Sequence, residues 1–154
     1  MKKTKLVTLF WIALASFVLG VSVTQLAIGF GLPFPVMPIS LGPSLVLIGV
    51  AIYLSSLPVA SYLRAREKGK SVLPPNPFYA TRVVIFAKAG ALTASGFLGW
   101  HLGQLIWGLS TGVVAELIIG TLLLLGGSSA IALVGSVLAE RNCRISDSGG
   151  EEAA

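Results

Sequence analysis

The chain has 154 residues, of which 55% are hydrophobic and 11% charged, with a net charge of +5 and a mean hydropathy of +0.89. An ordinary soluble domain carries about 25% charged residues, so the composition excludes one and points to a protein of the bilayer. The basic residues flank the apolar stretches and form no patch interleaved with aromatics, which argues against a nucleic-acid surface.

A spanning helix needs roughly 20 apolar residues. The sequence offers four such stretches: Leu6 to Ile28, Leu45 to Leu63, Val83 to Trp107 and Val113 to Leu138. The first follows a basic start, "MKKTKLVTLFWIALASFVLG", in the manner of a signal peptide. Its apolar run continues to Ile28 with no clear A-x-A site, beyond the roughly 7–15 residues of a signal h-region. An uncleaved first helix over 6–28 is the favoured reading and a signal peptide the other.

The connection that follows, "FGLPFPVMPISLGP", is uncharged, and Pro33, Pro35 and Pro38 make it stiff and irregular. Its Phe30, Phe34 and Met37 either rest in the membrane interface, the plainer reading, or dock a partner. Pro43 suits the first turn of a second helix over 45–63, and Pro58 should kink that helix near its far end. The loop "RAREKGKSVLPPNP" is basic, then proline-rich. Its Gly69-Lys70-Ser71 resembles the end of a phosphate-binding loop, but Arg64 stands where the first glycine is required and no strand precedes it.

Asn76-Pro77 is an N-cap followed by a first-turn proline, so a third helix should run over 77–107 with its first two turns in or above the headgroups. Within it Ala87, Ala91, Ser95, Gly99 and Gly103 recur every fourth residue, and Gly90 and Ala94 form a second lane. Small residues at this spacing let helix backbones approach closely in a membrane. Two lanes suit a helix wedged between two neighbours. The same helix carries two ionisable groups, Lys88 and His101. Thirteen residues leave them about 140° apart around the helix and about 20 Å apart along it, so they cannot share a site. Lys88 should snorkel to the headgroups near the basic end. His101 lies deeper, towards the other surface.

A fourth helix is expected over 113–138, with Gly112, Glu116, Gly120, Gly127 and Ala130 on the face turned inward. That face would bring Glu116 to His101, with Gln25 and Gln104 in the same layer. A pocket of Gln25, His101 and Glu116 would bind a proton or small polar solute, since ionisable residues within a membrane invite a functional hypothesis. Interhelical hydrogen bonding is the plainer alternative. Trp11, Trp100 and Trp107 are compatible with interface belts, Trp100 being the deepest. The segment 145–154 reads as a disordered tail.

The charges set the topology. Lys2, Lys3 and Lys5 precede the first helix; Arg64, Arg66, Lys68, Lys70 and Arg82 lie between the second and third; Arg141 and Arg144 follow the fourth. The other two connections hold no Lys or Arg, so both termini and the middle loop are expected in the cytoplasm. The expected fold is an all-α, up-down bundle of four transmembrane helices in one domain, residues 1–144. Lys88, with the loop cations, marks the cytoplasmic boundary. There Cys143 faces a reducing compartment and is expected to be an unreactive thiol.

No HExxH, GxSxG or paired-Asp motif is present, and with one histidine and one cysteine a transition-metal site is not expected. The expectation is a non-enzyme without a cofactor, embedded in a bilayer. It would act as a structural or accessory subunit that associates with itself or with a larger membrane partner through its small-residue faces, Gly99 and Gly103 as well as Gly120 and Gly127, so that Gly99→Leu or Gly103→Leu would break association. The alternative is a small transporter or channel component using His101 and Glu116.

Several of these residues together resemble a family of small four-helix actinobacterial membrane proteins grouped as a domain of unknown function. The resemblance rests on Pro77, Ala80 and Arg82, on Ala87-Lys88-Ala89, on Gly99-Trp100 and Gly103, and on Glu140, Arg141, Cys143 and Arg144. It spans nearly the whole chain, although Ile-Ser-Asp follows Arg144 where proline is expected. It implies a bacterial inner-membrane location and supplies no activity, ligand or catalytic residue.

Overall fold

A computed structural model describes residues 5–69, 77–112 and 114–143, with Glu67 and Pro77 described by their backbone alone. Lys2, Lys3, Lys70, Asn76, Arg144 and the segment 145–154 lie outside the described residues. Four helices make up the structure: α1 Leu6–Gly29, α2 Leu41–Glu67, α3 Pro77–Thr111 and α4 Glu116–Asn142. All four are long and apolar enough to cross a membrane.

The helix bounds differ from the expected ones where local chemistry extends or delays a helix. α2 begins four residues early, at Leu41, whose N–H donates to the Pro38 carbonyl. Pro43 is thus its third residue, where a backbone N–H has no helical partner to lose. α2 runs on through Pro58, which lacks the N–H that would reach the Leu54 carbonyl, and through the strong helix formers Arg64 and Arg66 to Glu67. α3 runs past Trp107, with the Ser110 and Thr111 hydroxyls each donating back to the Trp107 carbonyl at 2.9 Å. It stops at Gly112, whose φ of 64° lies in the left-handed region that suits glycine. α4 starts at Glu116 instead of Val113, because Ala115 is still extended.

Cross-helix contacts fix the directions. Ala13 faces Gly99 and Phe17 faces Gly103, so α1 and α3 run parallel. Gly42 faces Ser128 and Gly49 faces Ala132, so α2 and α4 are parallel too. Gly90 opposite Ser136, and His101 opposite Ser129, make α3 and α4 antiparallel. The chain therefore alternates in direction, as an up-down bundle does. The basic end holds Lys5, Arg64, Arg66, Lys68, Arg82 and Arg141.

Consecutive helices are not always neighbours. Among the described residues α1 packs on α3, and nowhere does its Cα trace come within 8 Å of α2 or α4. The spatial order is α1, α3, α4, α2, with α3 also touching α2. α3 is thus the wedge. Its Ala87, Ala91, Ala94 and Ser95 are buried, and α4 answers with Leu122, Leu125, Ala132 and Ala139. Two hydrogen bonds tie the basic end together: the Tyr79 hydroxyl donates to the Ser55 carbonyl at 2.8 Å, and the Asn142 amide donates to the Ser56 hydroxyl at 3.2 Å.

Candidate functional site

The small residues of α3 serve contacts within the chain. A Cβ on Gly99 would run into the Ala13 carbonyl, and one on Gly103 into the Phe17 carbonyl. A Cβ on Gly90 would lie 2.6 Å from the Ser136 hydroxyl and 2.8 Å from Ile52. The two lanes separate accordingly: Gly99 and Gly103 admit α1, while Gly90 admits α2 and α4.

Gly120 and Gly127 do not belong with them. Both are exposed, and a Cβ on either would meet nothing within 4 Å. The face of α4 taken as inward is the outward one. Leu122, Leu125, Ser128, Ser129, Ala132, Ser136 and Ala139 turn inward instead. Glycine is a poor guide here because lipid and protein interior are both apolar, so only close approach or hydrogen bonding separates the faces. Three glycines missed as packing residues do mark close approach. A Cβ on Gly20 would sit 2.6 Å from the Trp100 carbonyl, one on Gly49 would sit 2.6 Å from the Ala132 Cα, and one on Gly135 would sit 2.8 Å from the Gly49 carbonyl. The serines of α4 were the legible signal, since Ser136 lies seven and eight residues, about two turns, from Ser129 and Ser128 on one face, and hydroxyls avoid lipid by turning inward.

The expected pocket is not assembled. Gln25 and Glu116 are both exposed. α1 meets α3 through Ala13, Phe17 and Gly20, with buried Thr24 one turn on, and Gln25 lies about 100° away from Thr24. Glu116 is the first residue of α4, where a negative charge favours the helix dipole. His101 alone of the three is buried, at 1% exposure, and its neighbours are Phe97, stacked on its ring at 6.1 Å, and Ser129. Gln104, one turn on, is fully buried.

The Ser129 hydroxyl donates to the Leu125 carbonyl at 2.8 Å and lies 3.5 Å from His101 Nδ1. Among the described residues no partner reaches His101 Nε2, the Gln104 Oε1 or the Trp100 Nε1, all of them buried. The Gln104 amide nitrogen donates at 2.8 Å to the carbonyl of Pro35 in the α1–α2 loop. Phe34 of that loop lies against Trp107 at 6.2 Å. The proline-rich loop is thus pinned to α3, with Phe34 and Met37 half-buried and Phe30 out at 79% exposure. Among the other buried hydroxyls, Thr24 donates to the Gly20 carbonyl and Ser95 to the Leu92 carbonyl within their own helices, whereas the Ser136 hydroxyl, opposite Gly90, has no partner among the described residues.

The boundary cations Arg64, Arg66, Lys68, Arg82 and Arg141 are exposed at the basic end, and Lys88 is half-buried on α3. Burial pushes the Cys143 thiol up from its ordinary value, so it stays protonated and unreactive at neutral pH.

The chain matches the family described as "Protein of unknown function (DUF3180)" over residues 7–147. That span is most of the chain, and the resemblance drawn from Pro77 to Arg144 falls inside it. Comparison with curated proteins and with solved structures finds no match.

Proposed function

The chain belongs to the DUF3180 family, and from that premise we propose that it is a non-enzymatic, multi-pass protein of the bacterial inner membrane with both termini in the cytoplasm. It acts as a structural or accessory subunit, associating with itself or with a larger membrane protein. One observation carries this reading. Gly120 and Gly127, two turns apart on α4, open on empty space while the small residues of α3 are filled by the chain's own helices. The two glycines are notches in a face that also presents the exposed Leu123, Leu124 and Ile131; small residues on a spanning helix let a neighbour approach, and nothing inside the bundle uses these two. Association therefore runs through the outer half of α4 and not through Gly99 or Gly103.

Two substitutions test this. Gly127→Leu should abolish a higher-order species on native gels of gently solubilised membranes while leaving the monomer folded. Gly99→Leu should instead destabilise the monomer. Recovery of nothing but monomer from native membranes would end the proposal.

A second reading has its own support. Three buried polar atoms of neighbouring α3 residues, Trp100 Nε1, His101 Nε2 and Gln104 Oε1, have no partner among the described residues. Unpaired polar groups are costly in hydrocarbon, and water or a small polar solute that reached them would relieve that cost. On this reading the chain is a transporter or channel component built on His101 and Gln104, without Gln25 or Glu116. His101→Phe would then abolish solute or proton flux in proteoliposomes; unchanged flux would exclude it.

A further inference from the structure

α1 rests on α3 and leaves a gap on its other side, towards α4. Side chains from three helices line an open cleft there of about 320 Å³. Leu9, Phe10 and Ala13 come from α1, Ser95 from α3, and Val137 and Leu138 from α4. The Ser95 hydroxyl donates to the Leu92 carbonyl at 2.8 Å, so it offers the cleft no free proton. The lining is in effect hydrocarbon. It spans the first two turns of α1 and residues 133–138 of α4, which end one turn short of that helix's C-terminus, so it lies in the half of the bundle nearer the basic end.

The volume decides what fits. A helix about 10 Å across needs roughly 400 Å³ for each 5.4 Å turn, so a partner helix would lie across the mouth of the cleft and not within it. An apolar cavity of about 150 Å³ stays dry and holds a benzene, so about twice that volume suits an aliphatic chain of roughly a dozen carbons. The charges decide which lipid. Lys5 lies one turn before Leu9 on α1, and Arg141 one turn beyond Val137 on α4; both are exposed. They stand one turn beyond the lining on the two helices that bound the cleft, both towards the basic end. Glu140, half-buried in the same turn as Arg141, already has a partner.

We propose that the cleft between α1 and α4 is a binding site for an anionic phospholipid, with one acyl chain between the helices and the headgroup phosphate held by Lys5 and Arg141. The proposal rests on the membrane reading of the four helices and is independent of whether the chain associates. The acyl chain completes the packing that α1 lacks on its open side. The cations select an anionic headgroup over a zwitterionic one.

The test is native mass spectrometry of the full chain released from nanodiscs of equal phosphatidylglycerol and phosphatidylcholine. The wild-type chain should retain phosphatidylglycerol preferentially. Each of Lys5→Gln and Arg141→Gln should cut that preference about fivefold, the equivalent of about 1 kcal/mol for a cation near the surface. Val137→Phe should fill the cleft and lose the retained lipid of either kind. Equal retention of the two lipids by the wild-type chain would overturn the proposal, as would undiminished retention by Val137→Phe. Lys5 and Arg141 are exposed, so their variants decide the matter even where Val137→Phe fails to fold. Fractionation of the expressed chain tests the membrane reading separately: a chain found in the soluble fraction sinks that reading before any lipid is weighed.

Discussion

Two kinds of glycine occur in this chain, and they predict opposite mutational outcomes. Gly99 touches the α1 backbone at Ala13, and backbone cannot move aside as a flexible side-chain tip can. Gly99→Ala should therefore cost about 1–3 kcal/mol, the range for overpacking a filled interior. Gly127→Ala should cost nothing, because its Cβ enters open space. Thermal unfolding in detergent checks both: a fall in melting temperature for Gly99→Ala beside an unchanged Gly127→Ala is expected, and equal effects would contradict the assignment. Cys143 gives a second residue-scale prediction. Burial raises its thiol pKa, which lowers the thiolate fraction at any pH below that value. Maleimide should label it slowly at pH 7 in the folded protein, faster as pH rises, and at the rate of a free thiol once unfolded.

At the scale of elements, α3 organises the molecule. It accepts α1 along one lane and α2 and α4 along the other, and it reaches the α1–α2 loop through Gln104. That loop has few other anchors: Phe34 on Trp107 and the Leu32 N–H donating to the Ala27 carbonyl. Gln104→Leu removes the donor from the Pro35 carbonyl while keeping the side chain's bulk. Amide hydrogen exchange at Val36, whose N–H donates to the Phe34 carbonyl at 2.8 Å, should accelerate in that variant, while exchange in the α3–α4 core stays unchanged. Equal protection in variant and parent would show that the aromatic contact alone holds the loop.

For the whole molecule, the existence, number and alternating direction of the helices were legible because hydrophobic length and short connections depend hardly on packing. The lanes of α3 were legible for a related reason: a series such as Ala87, Ala91, Ser95, Gly99 and Gly103 has few uses other than close approach. Which face of α4 turns inward was not legible. In lipid both faces can be apolar, so Gly120 and Gly127 misled where Ser129 and Ser136 would have guided. The neighbour of α1 was hidden too, since a four-helix pattern permits several spatial orders, and neither Gly20, which faces Trp100, nor Gly99 and Gly103, which face Ala13 and Phe17, names its partner helix in the sequence. The buried polar layer was half-read. His101 and Gln104 belong to it, while Gln25 and Glu116 face outward. The charge pattern makes one further prediction at this scale: reporter fusions at either terminus should report the cytoplasm, and a reporter in the 112–115 connection the opposite side. An external terminus would refute the orientation.

The central claim is that the outward strip of α4 meets another helix. Site-directed cross-linking in native membranes tests it most directly, using single cysteines in a Cys143→Ser background. Gly127→Cys should give a cross-linked dimer or a single larger adduct, whereas Ile85→Cys, exposed on α3 near the basic end, should give neither. Cross-linking at both positions alike, or at neither, would contradict the claim.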